Sequence, residues 1–195
     1  MKNPTSRRKD GFTLVELLVV IAIIAVLAGA CFAAGNAAIQ KAKRTTALST
    51  ATAIESAVNN FFIEYGSMPK SGLTEDTKIV NTKDDLEVLT VLLGMENATT
   101  PLNPRAIKFL AVKEGKANKN GLIYNSTGNS VTGLFDPWGG PFYIALDGDY
   151  DEAVTPSPTA PGAKPKLNGR RAAVWSNGAD GVRGGGAAGD DVRTW

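Results

Sequence analysis

Histidine is absent from the 195 residues, and the single cysteine, Cys31, lies inside an apolar run. Imidazole bases, His-paired nucleophiles, His-ligated metals and an intramolecular disulfide are thereby excluded. What remains is carboxylate chemistry, and three places offer it. Glu16 stands near the start of a long apolar segment, and no other charge follows it before Lys41. A charge in a membrane helix costs ~2.5–3.5 kcal/mol at the helix centre and less near an end, so this carboxylate needs a reason. Asp147, Asp149 and Asp151 in "LDGDYDEA" alternate as in the first half of an EF-hand loop. Glu152 stands where that loop requires glycine and Pro158 where it requires its last glutamate, so the EF-hand reading fails. A polar turn is the better reading, with a different calcium site as the lesser alternative. Asp190 and Asp191 follow a Gly-rich stretch, and taken alone they read as a solvated charge pair.

The elements that would position these groups follow from composition and period. Lys2, Arg7, Arg8 and Lys9 precede the apolar run, against Asp10 alone. Removing them from 21 basic and 19 acidic residues leaves the rest of the chain close to neutral, with no basic surface for nucleic acid. Leu17 to Ala34 spans roughly 27 Å as a helix at ~1.5 Å per residue, close to a bilayer core of ~30 Å. That exceeds the apolar core of a removable signal peptide, and Ala28 stands where a lipoprotein signal ending at Cys31 would carry an aliphatic residue. A third reading rests on the residues at the start of the run.

From Asn36 to Tyr65 there is no proline, and Ile39, Leu48, Ala51, Ile54, Val58, Phe61, Phe62 and Tyr65 suggest an apolar stripe. Gly66 should end this helix, and Pro69 prevents its resumption. A second helix is predicted over Lys83–Leu93, capped by Thr82 and closed by Gly94. Strand composition marks Ala106–Val112, Pro141–Asp147 and Arg171–Ser176. Pro156, Pro158, Pro161 and Pro165 make Thr155–Gly169 an expected exposed loop. The fold class that follows is α+β, a long helix packed on a small antiparallel sheet.

"GFTLVELLVVIAIIAVLA" (Gly11–Ala28) fixes a glycine, an aromatic and a glutamate at set spacing after a basic leader. It resembles the class III leader of type IV pilins and type II secretion pseudopilins. The resemblance implies cleavage by a prepilin peptidase between Gly11 and Phe12, N-methylation of Phe12 and retention of the apolar helix. It also implies that Glu16 pairs with the amino terminus of a neighbouring subunit during assembly. An α-amino group titrates near ~7.7–8.0, so that terminus is largely cationic. In low dielectric such a pair favours register more than raw stability. The alternative for Glu16 is snorkelling to the headgroups. Phe32, Ala33 and Ala34 stand where relatives often carry a proline.

Two further stretches extend the resemblance. "FDPWGGPFYIAL" (Phe135–Leu146) looks like the Asp-Pro-Trp-Gly motif of major pseudopilin heads. Asp136-Pro137 would start a turn, Gly139-Gly140 permit positive φ, and Trp138 would anchor the turn on the core. "VWSNGADGVRGGGAAGDDVRTW" (Val174–Trp195) is similar to the calcium-binding C-terminal loop of type II secretion major pseudopilins. That likeness implies Ca²⁺ ligands at Asp180, Asp190 and Asp191. The loop exceeds the usual spacing by about three residues, a length that costs little closure entropy.

Together these imply a type IV pilin-like fold in four segments. Residues 1–11 form a cleaved cytoplasmic leader, 12–35 a transmembrane and filament-core helix, and 36–66 the amphipathic half of that helix. Residues 67–195 form a periplasmic head with the calcium loop at 174–195. The function implied is that of the G-type major pseudopilin, a structural subunit of an inner-membrane-anchored pseudopilus rather than an enzyme. The partners implied are copies of itself, minor pseudopilins, the inner-membrane platform protein and the prepilin peptidase. The secretion ATPase and outer-membrane secretin would be reached indirectly. A type IV pilin for adhesion, motility or DNA uptake is the alternative. Residues 70–134 carry no motif.

Overall fold

The computed structural model describes residues 12–76, 80–156, 166–182, 184 and 190–195, with backbone alone at 30 and 32–34. The leader with Gly11, most of the proline-rich stretch, and residues 183 and 185–189 of the C-terminal loop lie outside the described residues. So do the side chains at the position where relatives carry a proline. In chain order the elements are α1 (Leu14–Tyr65), β1 (Val80–Asn81), α2 (Glu87–Leu93), β2 (Gly121–Tyr124), β3 (Val131–Phe135), β4 (Tyr143–Leu146), β5 (Ala153–Val154), β6 (Leu167–Asn168), β7 (Ala172–Ser176) and β8 (Val192–Arg193). Two compact units divide the chain, residues 1–41 and 42–195.

In the first unit, Phe12, Leu14, Val15, Leu17, Val20, Ile24 and Leu27 are all exposed. They point in every direction around α1, and a helix that is apolar all round is stable only when something covers it. Among the described residues, no helix is long and apolar enough to cross a membrane. The expected span from Leu17 to Ala34 includes residues 30 and 32–34, whose side chains are not among those described, so the described apolar stretch falls short of it.

In the second unit, α1 buries Ala47, Ala51, Ile54, Val58 and Phe61, a row at three- and four-residue spacing. Leu48 was expected in this row and is exposed. One residue turns a helix by ~100°, which carries Leu48 off the buried face that Ala47 begins. Ile39, also expected there, is exposed in the first unit. Gly66 closes α1 at φ 67°, its N–H bonded to the Phe62 carbonyl at 2.8 Å. That stop is where the sequence placed it.

A four-stranded antiparallel sheet runs in the order β1-β4-β7-β8. Alternation sorts its two faces. Val80, Ile144, Leu146, Ala172, Val174 and Val192 share the main core with the α1 row. Ala145, Ala173 and Trp175 form a second cluster with Val154 and Leu167, flanked by Tyr143 and Trp195. The expected α+β architecture of one long helix and a small antiparallel sheet is therefore present.

Four local expectations are corrected. The second helix begins at Glu87, not Lys83, and its N-cap Leu86 makes no side-chain cap. Thr82, the expected cap, is fully buried; its hydroxyl donates to the Leu134 carbonyl at 2.6 Å and accepts the Phe142 N–H at 2.9 Å. Tertiary partners have taken the hydroxyl a cap would use. Ala106–Val112 forms no strand, because Phe109 and Leu110 both donate to the Leu92 carbonyl at the end of α2. The expected loop after Thr155 gives up Leu167–Asn168 to β6, which pairs with β5. A β2–β3 hairpin also occupies the stretch that carried no motif.

Candidate functional site

The C-terminal loop is built outward from a turn. Asp136 is buried, and its Oδ1 accepts the N–H groups of Trp138, Gly139 and Gly140 at 2.8, 2.7 and 2.9 Å. Its Oδ2 accepts the Ser176 hydroxyl. The expected Asp-Pro-Trp-Gly turn is thus formed, with Gly139 at φ 106° and Trp138 packed against the main core. It is tied to the last residue of β7. From there the Ser176 hydroxyl accepts the Gly178 N–H at 3.2 Å, where the C-terminal loop begins.

Gly178 sits at φ 68°, and a Cβ there would lie 2.4 Å from the Asp190 carbonyl oxygen. Only glycine lets the two arms of the loop touch. Across that contact, Asp190 Oδ2 accepts the N–H groups of Ala179 and Asp180 at 2.9 and 3.0 Å. Asp180 Oδ1 accepts the Val182 N–H at 2.9 Å. Arg44 of α1 donates to the Asp191 carbonyl at 3.3 Å, and Arg170 reaches both Glu55 and the Thr194 carbonyl. These bonds fasten the C-terminal arm to the helix.

The carboxylates in this loop are incompletely satisfied. Asp191 is only 7% exposed, and its Oδ1 has no donor. Asp190 Oδ1 is a second buried oxygen without one. Burial pushes the Asp191 carboxyl above its ordinary range, and the charges of Asp190 and Asp180 push the same way. The Gly184 N–H and the Arg193 charge pull it back by less. Three acidic groups lie on one loop, two with orphaned buried oxygens. Oxygen donors suit Ca²⁺, a hard cation taking six to eight of them in flexible geometry, but these three are not among the described carboxylates whose ligand atoms converge. Asp180, Asp190 and Asp191 would hold it, and its charge would offset their mutual repulsion.

A tighter acidic group lies elsewhere. The ligand oxygens of Asp76, Asp147, Asp149 and Asp151 all fall within 4.8 Å of one another, the one such acidic group among the described residues. Here the turn itself takes up the carboxylates. Asp147 accepts the Asp151 and Glu152 N–H groups at 3.2 and 3.1 Å, and Asp151 accepts that of Ala153 at 3.0 Å. Asp76 Oδ2 accepts the Thr155 N–H at 3.0 Å, and Lys166 pairs with Asp151. Burial raises the Asp147 carboxyl, with the Asp76 charge adding to it. This is the polar turn that the failed EF-hand comparison pointed to, and its converging carboxylates are also the donor set that the lesser alternative, a calcium site of another kind, would use. Asp76 was not foreseen in it, because only the fold brings it across from a distant part of the sequence.

Glu16 stands at the start of α1. Its Oε2 accepts both the backbone N–H and the hydroxyl of Thr13 at 2.8 Å, and its own N–H reaches the Thr13 hydroxyl at 3.2 Å. This reciprocal arrangement is a capping box, which satisfies two N–H groups that a helix start otherwise leaves open. The Thr-x-x-Glu spacing was available in the sequence and was missed there. Phe12 is exposed, and Gly11, the other residue of the expected cleavage site, lies outside the described residues.

No solved structure matches the chain. Residues 6–32 match the prokaryotic N-terminal methylation motif, which brackets Gly11, Phe12 and Glu16. The chain carries the prepilin-type signal of type IV pilin-like subunits, and that signal supports a pilin or pseudopilin processed by a prepilin peptidase and assembled with its own kind.

Proposed function

We propose that this chain is the major, G-type pseudopilin of a type II secretion system, a structural subunit rather than an enzyme. Processed at Gly11-Phe12 and methylated on Phe12, it inserts its apolar helix in the inner membrane and keeps its head in the periplasm. There it polymerises through that helix into a pseudopilus, with Glu16 paired to a neighbour's amino terminus. Minor pseudopilins and the platform protein are its direct partners. The secretion ATPase and the outer-membrane secretin act through the filament.

The observation that carries this reading over a type IV pilus is the C-terminal loop. An Asp-Pro-Trp-Gly turn is bonded through Ser176 to a loop in which Asp190 and Asp191 hold donor-less buried oxygens beside Asp180. Ca²⁺ at that loop is part of the proposal. Its test is thermal unfolding of the detergent-solubilised chain in millimolar calcium and in chelator. A ligand that binds only the folded state stabilises it by mass action, about 2.7 kcal/mol at a hundred times Kd, and so raises the midpoint. Asp191→Asn should remove that rise. It should also stabilise the metal-free head, since a buried charge beside two like charges is lost. An unchanged midpoint in calcium would leave a pilin-like subunit without a secretion-type loop.

A further inference from the structure

We infer that Asn177 supplies its side-chain carbonyl as an additional, uncharged ligand to the cation of the C-terminal loop. The inference rests on the calcium reading above and assigns a role to a residue outside its three aspartates. Asn177 is 8% exposed, and its Oδ1 is buried without a donor. Its orientation is constrained from the other end of the amide. Nδ2 faces the Gly181 carbonyl at 3.4 Å and the Tyr143 hydroxyl at 3.5 Å. A backbone carbonyl can only accept, so the NH₂ group belongs on that side and the side-chain carbonyl on the other.

Strand register supplies the second observation. Trp175 pairs with Arg193 and Ser176 with Val192, which closes the β7–β8 ladder. Continuing that register one step past the end of the ladder sets Asn177 against Asp191. Each of these two residues is more than nine-tenths buried, and each carries a buried oxygen with no donor. A carboxylate and an amide carbonyl both present lone pairs, so neither can satisfy the other. A buried acceptor left in this state is destabilising, and a cation between them removes the cost for both. Calcium coordination mixes carboxylates with neutral carbonyls. An amide oxygen here raises the ligand count without adding a fourth negative charge.

The test titrates Ca²⁺ alone into the detergent-solubilised full chain, with binding read by calorimetry and stability by thermal unfolding in calcium and in chelator. Asn177→Leu should weaken binding at least tenfold while leaving the chelator midpoint unchanged or higher, because it deletes an unsatisfied buried acceptor. Asn177→Asp should retain binding and lower the chelator midpoint, because it keeps the oxygen and adds a charge. Equal binding by wild type and Asn177→Leu would overturn the assignment while leaving the calcium loop intact. A midpoint that Asn177→Leu lowers equally in calcium and in chelator would make the residue structural and also overturn it. Absence of any calcium response in the wild type would remove the calcium reading and this inference together.

Discussion

Two buried aspartates in one small region show what decides whether a carboxylate asks for a cation. Asp136 receives three backbone N–H groups and a serine hydroxyl, so its charge is met by the protein. Asp191 is nearly as buried, yet one of its oxygens receives nothing and its neighbours are themselves acidic. Burial is common to both, and donor supply separates them. The consequence at residue scale is a contrast in calcium sensitivity. Asp136→Ala leaves four donors without their acceptor and should cost on the order of 3 kcal/mol, since hydrogen bonds to charged groups contribute ~1.5–3 each and partial resolvation recovers some. Denaturant unfolding should find that loss in chelator as well as in calcium. A loss seen only in calcium would instead place Asp136 among the cation's ligands.

Among the elements, α2 is held at its start by an ion-pair cluster rather than by a cap. Lys70 Nζ lies 2.8 Å from both Asp85 and Glu87, and Glu87 also accepts the N–H and hydroxyl of Ser71. Burial works against the charged form of Glu87, but the bonds from Lys70 and Ser71 outweigh it and hold its carboxyl below the ordinary value. A depressed folded pKa binds fewer protons than the unfolded chain does over the interval between the two values. Its stabilisation is therefore full above the unfolded value and is lost as pH falls through the folded one. Glu87 is about a third exposed, so screening limits the pair, and Glu87→Gln should cost about 1 kcal/mol at neutral pH. Acid titration followed by circular dichroism should show the variant losing less stability than wild type below about pH 4.5. For Lys70, burial again opposes the charged form and is outweighed by Asp85 and Glu87, so its pKa is raised. Its share is lost only as pH rises through that raised value, well above neutrality.

For the whole molecule, the division of labour follows surface chemistry. Residues 42–195 bury a core of α1, α2 and sheet side chains, whereas Phe12 to Leu27 expose theirs on every side. A predominantly apolar surface of this kind, interrupted near its start by Glu16, is stable in lipid or against copies of the same helix. Expression beside a prepilin peptidase should yield a chain whose mass corresponds to a start at methylated Phe12. Gly11→Val should leave it at full length. Processed chain should assemble into filaments visible by negative stain. Glu16→Ala should be processed normally and fail to assemble, whereas a role limited to capping would cost only about 1 kcal/mol and leave filaments in place. Intact mass and filament yield, measured on the same preparations, separate processing from assembly.

Much of this was legible in the order of residues, because local physics suffices for it. The prepilin-type signal, the end of α1 at Gly66, the αL close of α2 at Gly94 and the Asp136 turn are each fixed within a few positions of the chain. The strands at Tyr143–Leu146 and Ala172–Ser176 carry their pattern of β-branched and aromatic residues in the open. Where the reading went astray, a distant partner had intervened. Thr82 gave its hydroxyl to Leu134 and Phe142 instead of a helix start. Phe109 and Leu110 bonded to the end of α2 instead of to a strand. Asp76 joined an aspartate turn from far away in the chain. The C-terminal loop divides the same way. Its aspartates were singled out only by resemblance to a known loop, whereas the donor-less oxygens of Asp190 and Asp191, and the approach of Asn177 to them, depended on β7 meeting β8. Spacing along a chain specifies which groups are available; packing in three dimensions decides which of them are left without a partner.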